Sequence, residues 1–410
     1  MPFRPRRAIL PRIMLDERVL ASVASLDDPL GVLSLYVGLH PEEETGSPPV
    51  WELEARHGLE EIERELEAEG DVRRAEALAG RLAELRDEVD LLLSPQEAGL
   101  GRALFAGLSG GEAIRVTLRS PFETRVTLGR RARLRPLARA LQAGRPAGLI
   151  LLSDEGLRLF EWRLAEVEGL AVVPFVEPGE ERRELSGPAY AHPRGAPYAG
   201  PGFRVGQQRD LFERRVEEER ELLAAGQVED IRAQARRRGW EDVVVTGDER
   251  LARPLAQGLH EPGSPEVTLD PRLLGWLSPA ELAEAAAAVL EEARARRGLV
   301  LLARVREEAL AGGRGALGLG DTLAALAEGR VEQLILPAVR ELHGARAPDG
   351  RFVPAGEIPP GVSSSQLRPE YDLAERMVER ALETGARLTL LAGEAEAALG
   401  SDEAAALLRW

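Results

Sequence analysis

The chain has 410 residues, 44% hydrophobic and 30% charged, the profile of a globular protein of roughly two to four domains. It contains no cysteine, which excludes a disulfide framework, a thiolate metal site and a cysteine nucleophile and fits a reducing compartment. All 53 basic residues are arginine, neither Lys nor Asn occurs, and 69 acids bring the net charge to −16, so a nucleic-acid contact requires local clusters of positive charge.

The first residues carry Arg4, Arg6 and Arg7, and Pro11 and Arg12 interrupt the apolar run that follows, so no signal-peptide core is expected. No run approaches ~18 uncharged apolar residues, so no membrane span is expected either. Gly31 to Gly38 reads as a strand. Trp51 to Leu93 reads as two antiparallel helices, with Leu53, Leu59, Ile62 and Leu66 and then Leu78, Leu82 and Leu85 at helical spacing, and with Gly70 and Asp71 at the break. Strands are expected at 102–106, 112–118 and 124–128, and a helix from Leu134 to Ala143. Arg125 to Arg145 holds seven arginines and no acid, which reads either as an RNA contact or as a solvated helix face. These elements form a first unit of residues 1–144.

A second unit, residues 145–272, opens on the apolar strand 148–152, with a turn at 154–156, a return strand at 157–163 and a third strand at 169–174. Gly187 to Gly202 then reads G-P-A-Y-A-H-P-R-G-A-P-Y-A-G-P-G, which breaks both periodic structures and reads as a functional loop. It feeds Phe203-Arg204-Val205-Gly206-Gln207-Gln208-Arg209, where a helix is expected to begin and run to Ala225, with Gly226 as its cap. A short helix at 231–238, a buried strand at 240–247 and a helix from Glu249 to Leu259 complete the unit.

The third unit, residues 273–410, opens on Ser278-Pro279-Ala280-Glu281, a capping box with Pro at the first helical position. Helix is expected to Leu310, broken at 312–315, followed by a helix capped by Asp321, a strand at 331–337, a mobile Pro/Gly/Ser-rich insertion from His343 to Arg368, a helix at 371–384, a strand at 386–391 and a short helix with a tail to Trp410.

Taken in order, these units resemble those of the archaeal and eukaryotic class-1 peptide-chain release factor and Pelota family, and more closely a bacterial member of it. Gly320-Asp321-Thr322-Leu323 with Gly329-Arg330-Val331, the ending Ala404 to Trp410, and Ser120-Pro121-Phe122 with Leu137 to Leu141 carry the likeness. It implies an α+β first domain, an RNase H-like mixed-sheet middle domain and an αβα C-terminal domain similar to kink-turn-binding ribosomal proteins. Gly206 and Gln207 match the last two residues of the family's Gly-Gly-Gln loop tip, and Val205 stands in place of the first Gly.

The family uses that tip to promote peptidyl-tRNA hydrolysis in the peptidyl-transferase centre, which makes Gln207 and Gly206 the catalytic candidates. Glycine permits close backbone approach, and a glutamine amide can position water and stabilise developing oxyanion charge. Arg194, Arg204, Arg209, Arg214 and Arg215 are the candidate phosphate contacts, and His192 and Tyr198 the candidate stacking residues. Val205 is β-branched and resists positive φ. The family's codon-reading motif contains Asn and Lys, which this chain lacks, and Leu66 to Arg81 offers no substitute. The resemblance therefore implies a cytoplasmic, codon-independent ribosome-binding factor of rescue or quality control, in contact with rRNA, the A site and the tRNA end. Its C-terminal domain would meet a translational GTPase, and neither cofactor nor metal is expected.

Two other readings remain at this point. One is a hibernation factor that occupies the A site without chemistry. The other is a metal-dependent RNA nuclease using Asp154, Glu155, Asp248 and Glu249, which follow strands of the second unit. His40, His57, His192, His260 and His343 show no metal-ligand spacing.

Overall fold

The computed structural model describes residues 15–40, 48–175, 217–261, 263–271 and 277–410. The described residues form a mixed α/β structure with four sheets. Residues 1–144 with 294–410 form one compact unit, and residues 145–293 form another.

In the first unit, α1 (Glu17–Ala24) is capped by Asp16 and precedes β1 (Asp27–Gly38). The sheet β3-β2-β1-β4 is antiparallel, with β2 at Gly101–Gly107, β3 at Ile114–Leu118 and β4 at Arg125–Arg131. Strand alternation sends Leu33, Leu35 and Val37 to one face, where α2 (Val50–Glu69), α3 (Val72–Glu84) and α4 (Arg86–Leu92) cover them with Trp51, Ile62, Leu66, Leu78, Val89 and Leu92. Gly70 ends α2 with φ 72, the left-handed C-cap that glycine adopts without a Cβ penalty. The helical run expected from 51 to 93 thus breaks a second time, at Leu85. Tyr36 points to the other face, fully buried, and its hydroxyl donates to the Arg133 carbonyl at 2.5 Å. The Arg102 guanidinium is buried as well, and the carbonyls of Leu92, Ser94, Glu97 and Gly99 accept from it.

The later residues of this unit build a second four-stranded sheet, β10-β16-β11-β15, from Gly315–Leu317, Ala405–Leu408, Val331–Pro337 and Arg387–Leu391. β11 and β15 are parallel, and β16 runs antiparallel between β11 and β10. The tail expected after Ala395 is therefore the strand β16, which is fully buried. Two helices of this part are α10 (Leu319–Ala327) and α11 (Leu373–Glu383). Asp321 lies in the first turn of α10, and the cap is Gly318. The stretch 343–368 is ordered as a small sheet, β13-β12-β14, of Gly344–Arg346, Phe352–Pro354 and Arg368–Glu370, not as a mobile insertion. Its strands have three residues each, too short to show alternation in the sequence.

α5 (Arg135–Ala143) ties the two parts of the unit together. The Gln142 side chain donates to the Leu390 carbonyl at 3.0 Å and accepts from its N–H at 2.8 Å, so an amide side chain pairs with the backbone of β15. Glu375 of α11 accepts from the N–H groups of Leu134 and Arg135 and caps α5 at its N-terminus.

In the second unit, β5 (Ala147–Ser153), β6 (Gly156–Arg163) and β7 (Glu166–Pro174) form an antiparallel meander. β8 (Asp242–Gly247) and β9 (Glu266–Leu269) join parallel to β5, giving the order β7-β6-β5-β8-β9. One face is covered by α6 (217–226), α7 (Val228–Arg238) and α8 (Glu249–Leu259) through Ala224, Ile231, Leu251 and Leu255. The other face is covered by Leu282, Ala286, Val289 and Leu290, from the opening turns of α9 (Pro279–Leu310). The Ser278 capping box is formed, with Glu281 accepting from the Ser278 N–H at 2.8 Å.

Candidate functional site

Val205, Gly206, Gln207, His192, Arg194, Tyr198, Arg204, Arg209, Arg214 and Arg215 all lie outside the described residues. The structure does describe where that stretch leaves the sheet and where the chain returns. β7 ends at Pro174, and Phe175 inserts its ring into the core on the α6–α8 face. The Phe175 N–H donates to the Glu155 carbonyl at 2.9 Å. On the return side, α6 is held to the carboxyl ends of β5 and β8.

Those strands end side by side, at Ser153 and Gly247. Gly247 has φ 116, and a Cβ there would stand 1.8 Å from the Leu152 carbonyl oxygen, so only glycine lets the strands close this tightly. Beyond them, Arg220 of α6 pairs with Asp154 at 2.9 Å. Arg250 bridges Glu217 of α6 and Asp248, and Asp248 caps α8 by accepting the Arg250 N–H at 3.0 Å. Burial works against the Asp248 carboxylate, but the Arg250 N–H and guanidinium outweigh it and hold its pKa below the ordinary value. The niche among Glu217, Arg220, Asp248 and Arg250 has a volume of about 10 Å³, the room of one water.

The four acids of the nuclease reading meet this arrangement directly. Asp154 and Asp248 follow adjacent parallel strands, but arginines occupy the places a cation would need. Glu249 pairs with Arg253, and Glu155 is exposed. Among the described residues, no group of three or more His, Asp or Glu is placed to hold a metal ion. Asp248 serves as a cap, and Asp154 and Asp248 join the ion pairs that anchor α6.

The arginine-rich stretch 125–145 is mostly paired with acids: Arg125 with Glu341 at 2.8 Å, Arg130 with Asp27 at 2.9 Å, Arg131 with Glu383 at 2.6 Å, Arg133 with Asp372, and Arg145 with Glu241 at 2.8 Å, while Arg139 on α5 is exposed. Most of these acids come from residues 341–383, more than 200 positions away in sequence, so the sequence shows the cluster without its partners.

Glu375 and Glu379 are features that sequence reading missed. Both are buried on α11. Burial, only partly opposed by Arg376, pushes the Glu379 pKa up to about 7. Their signal was present as two acids at i, i+4 beside Met377 and Val378 on a helix with an apolar face. A cavity of about 470 Å³ also lies in this unit, between Ile62, Leu66, Val126 and Leu128 on one side and Arg133, Glu341 and Asp372 on the other.

Residues 133–296 match the model of the family described as bacterial archaeo-eukaryotic release factor family 10. This region holds both anchors of the Gly206-Gln207 stretch and the stretch itself. The similarity to that family is shown over these residues alone. No curated protein matches. Among solved structures, the chain is similar to archaeal Pelota in a model of ribosome-bound Pelota and ABCE1, at 16% identity and TM-score 0.37 over 76% of this chain and 77% of that one. It is similar to the archaeal translation termination factor aRF1, at 17% identity and TM-score 0.21 over 97% and 99%. It is also similar to Saccharomyces cerevisiae Dom34, described as a translation termination-like factor in RNA quality control that interacts with Hbs1, at 8% identity and TM-score 0.37 over 76% and 79%. At such scores none of these likenesses bears on the arrangement of this chain.

Proposed function

We propose, from the release-factor-family region at residues 133–296, that the chain is a translation factor of the release-factor and Pelota type. It binds the ribosome in the cytoplasm without reading a codon and acts in rescue or quality control. The single observation that carries this reading is the family match, because it spans the sheet, the anchors and the Gly-Gln stretch together. The order β7-β6-β5-β8-β9, a meander joined to parallel strands, supports an RNase H-like middle domain. Divisions near residues 144 and 272, with a C-terminal domain like the kink-turn-binding ribosomal proteins, belong to the same reading. So does a translational GTPase as partner of that domain.

Within this reading, the β7 end and α6 present residues 176–216 to the tRNA end. Gln207 and the backbone at Gly206 position a water on the peptidyl ester and hold the developing oxyanion. Val205 in place of the family's first Gly favours a slower hydrolysis. Incubation with ribosomes that carry peptidyl-tRNA tests this. The expected result is released peptide, abolished by Gln207→Ala with ribosome binding retained. Co-sedimentation with idle ribosomes and no release would assign the chain to A-site occupancy without chemistry. Failure to bind ribosomes at modest salt would remove both assignments.

A further inference from the structure

We infer that one face of the small sheet β13-β12-β14 is a docking surface for single-stranded RNA, with Arg346 and Arg368 on phosphates and Phe352 beneath a base. The register places Phe352 opposite Arg346, and Arg346 opposite Arg368, so the three side chains form one row on one face. Arg346 lies over the Phe352 ring, 5.9 Å from its centroid. Arg346 and Arg368 are both exposed.

Directly opposed residues on antiparallel strands stand about 5 Å apart, and like charges so placed are destabilising. Neither guanidinium has an ion-pair or side-chain hydrogen-bond partner among the described residues. Arg131 meets Glu383, Arg387 meets Glu332 and Arg351 meets Asp349 in the same unit, whereas Arg346 and Arg368 stand opposite each other with no acid between them. The acid on the same face, Glu370, is engaged with Arg376 at 3.9 Å and accepts the Asp372 N–H at 3.3 Å. The row is therefore locally cationic on a chain of net charge −16, and its repulsion is relieved by an anion shared between the two forks. An aromatic ring in the same row selects the kind of anion. A nucleic-acid strand supplies phosphates for the arginines and a base face for Phe352 at neighbouring positions, whereas an acidic peptide supplies only the charge. Ser363, Ser364 and Ser365, all exposed just before β14, add hydroxyl donors beside Arg368 in the chain. The inference uses none of residues 176–216 and goes beyond the reading of Gly206-Gln207.

The test uses the full chain and a fluorescent 12-nucleotide uridine RNA, with binding followed by anisotropy at several salt concentrations. The double variant Arg346→Gln/Arg368→Gln is expected to bind about tenfold more weakly, and its log–log salt slope to fall by about 1.4, at ~0.7 for each lost phosphate contact. Phe352→Leu is expected to weaken binding about tenfold by removing the stacking face. With 4-thiouridine in the oligonucleotide, the crosslink is expected on the tryptic peptide 352–376, since trypsin does not cleave between Arg368 and Pro369. Unchanged affinity in the double variant, crosslinks confined to other peptides, or equal competition by polyglutamate would each overturn the inference. Gln207→Ala should bind the oligonucleotide like the wild type while failing in peptide release, so the two readings fail separately. Circular dichroism melts check that the variants at exposed Arg346 and Arg368 and half-buried Phe352 keep the fold.

Discussion

Glu375 separates two roles that a buried carboxylate can have. It is 2% exposed and accepts the first N–H groups of α5, from Leu134 and from Arg135 at 3.2 Å. Glu375→Ala removes every acceptor and leaves two helix-terminal donors buried. Each unsatisfied donor costs roughly 1–3 kcal/mol, so the loss is about 3 kcal/mol after partial relaxation. Glu375→Gln keeps an amide oxygen within the same reach. Burial, and then the neighbouring Asp372 carboxylate, raise the Glu375 pKa despite the two N–H groups and Arg133, so the site does not reward the negative charge. The glutamine variant is therefore expected within about 1 kcal/mol of wild type. Urea unfolding measures the two losses, and amide exchange over residues 134–143 locates them at α5. Equal destabilisation by both variants would show that charge, and not acceptor geometry, holds this junction, and would refute the reasoning.

Glu379 should make the same unit pH-sensitive. Its pKa is raised from about 4.5 to about 7, so the folded state holds its proton between those values. Its contribution is complete below pH ~4.5 and is lost as pH rises through 7, at most about 3 kcal/mol, and Glu379→Gln should flatten that slope in unfolding measured from pH 5 to pH 8. Gly247→Ala sets a Cβ 1.8 Å from the Leu152 carbonyl oxygen at positive φ, and a loss of about 3 kcal/mol or more is expected in thermal unfolding of the second unit. Tyr36→Phe deletes the hydroxyl bond to the Arg133 carbonyl and should cost roughly 1–2 kcal/mol, read from the urea midpoint.

The elements read correctly from sequence are those with a local signature. The Gly70 break, the β5-β6 hairpin, the helix Glu249–Leu259 and the Ser278 capping box each state their ends in a few neighbouring residues. The misreadings share a cause, structure fixed by distant partners. Ala404 to Leu408 has no alternation because every residue of β16 is buried, with β10 and β11 paired along its two edges, and an Ala-rich run then reads as helix or tail. β12, β13 and β14 are too short for any period to appear. The arginines of 125–145 looked free because Glu341, Asp372 and Glu383 lie far along the chain. The same limit applies to the candidate site. Gly206-Gln207 is a dipeptide with no chemistry of its own, legible only through kinship. Its anchors, Arg220 to Asp154 and Arg250 to Glu217, are long-range pairs that no local pattern announces.

The position of residues 204–209 in a complex of the full chain with a ribosome carrying peptidyl-tRNA tests the central claim most directly. The account predicts Gln207 in the peptidyl-transferase centre, beside the ester that joins peptide to tRNA. Density for the bound chain with this stretch far from the tRNA end would contradict it.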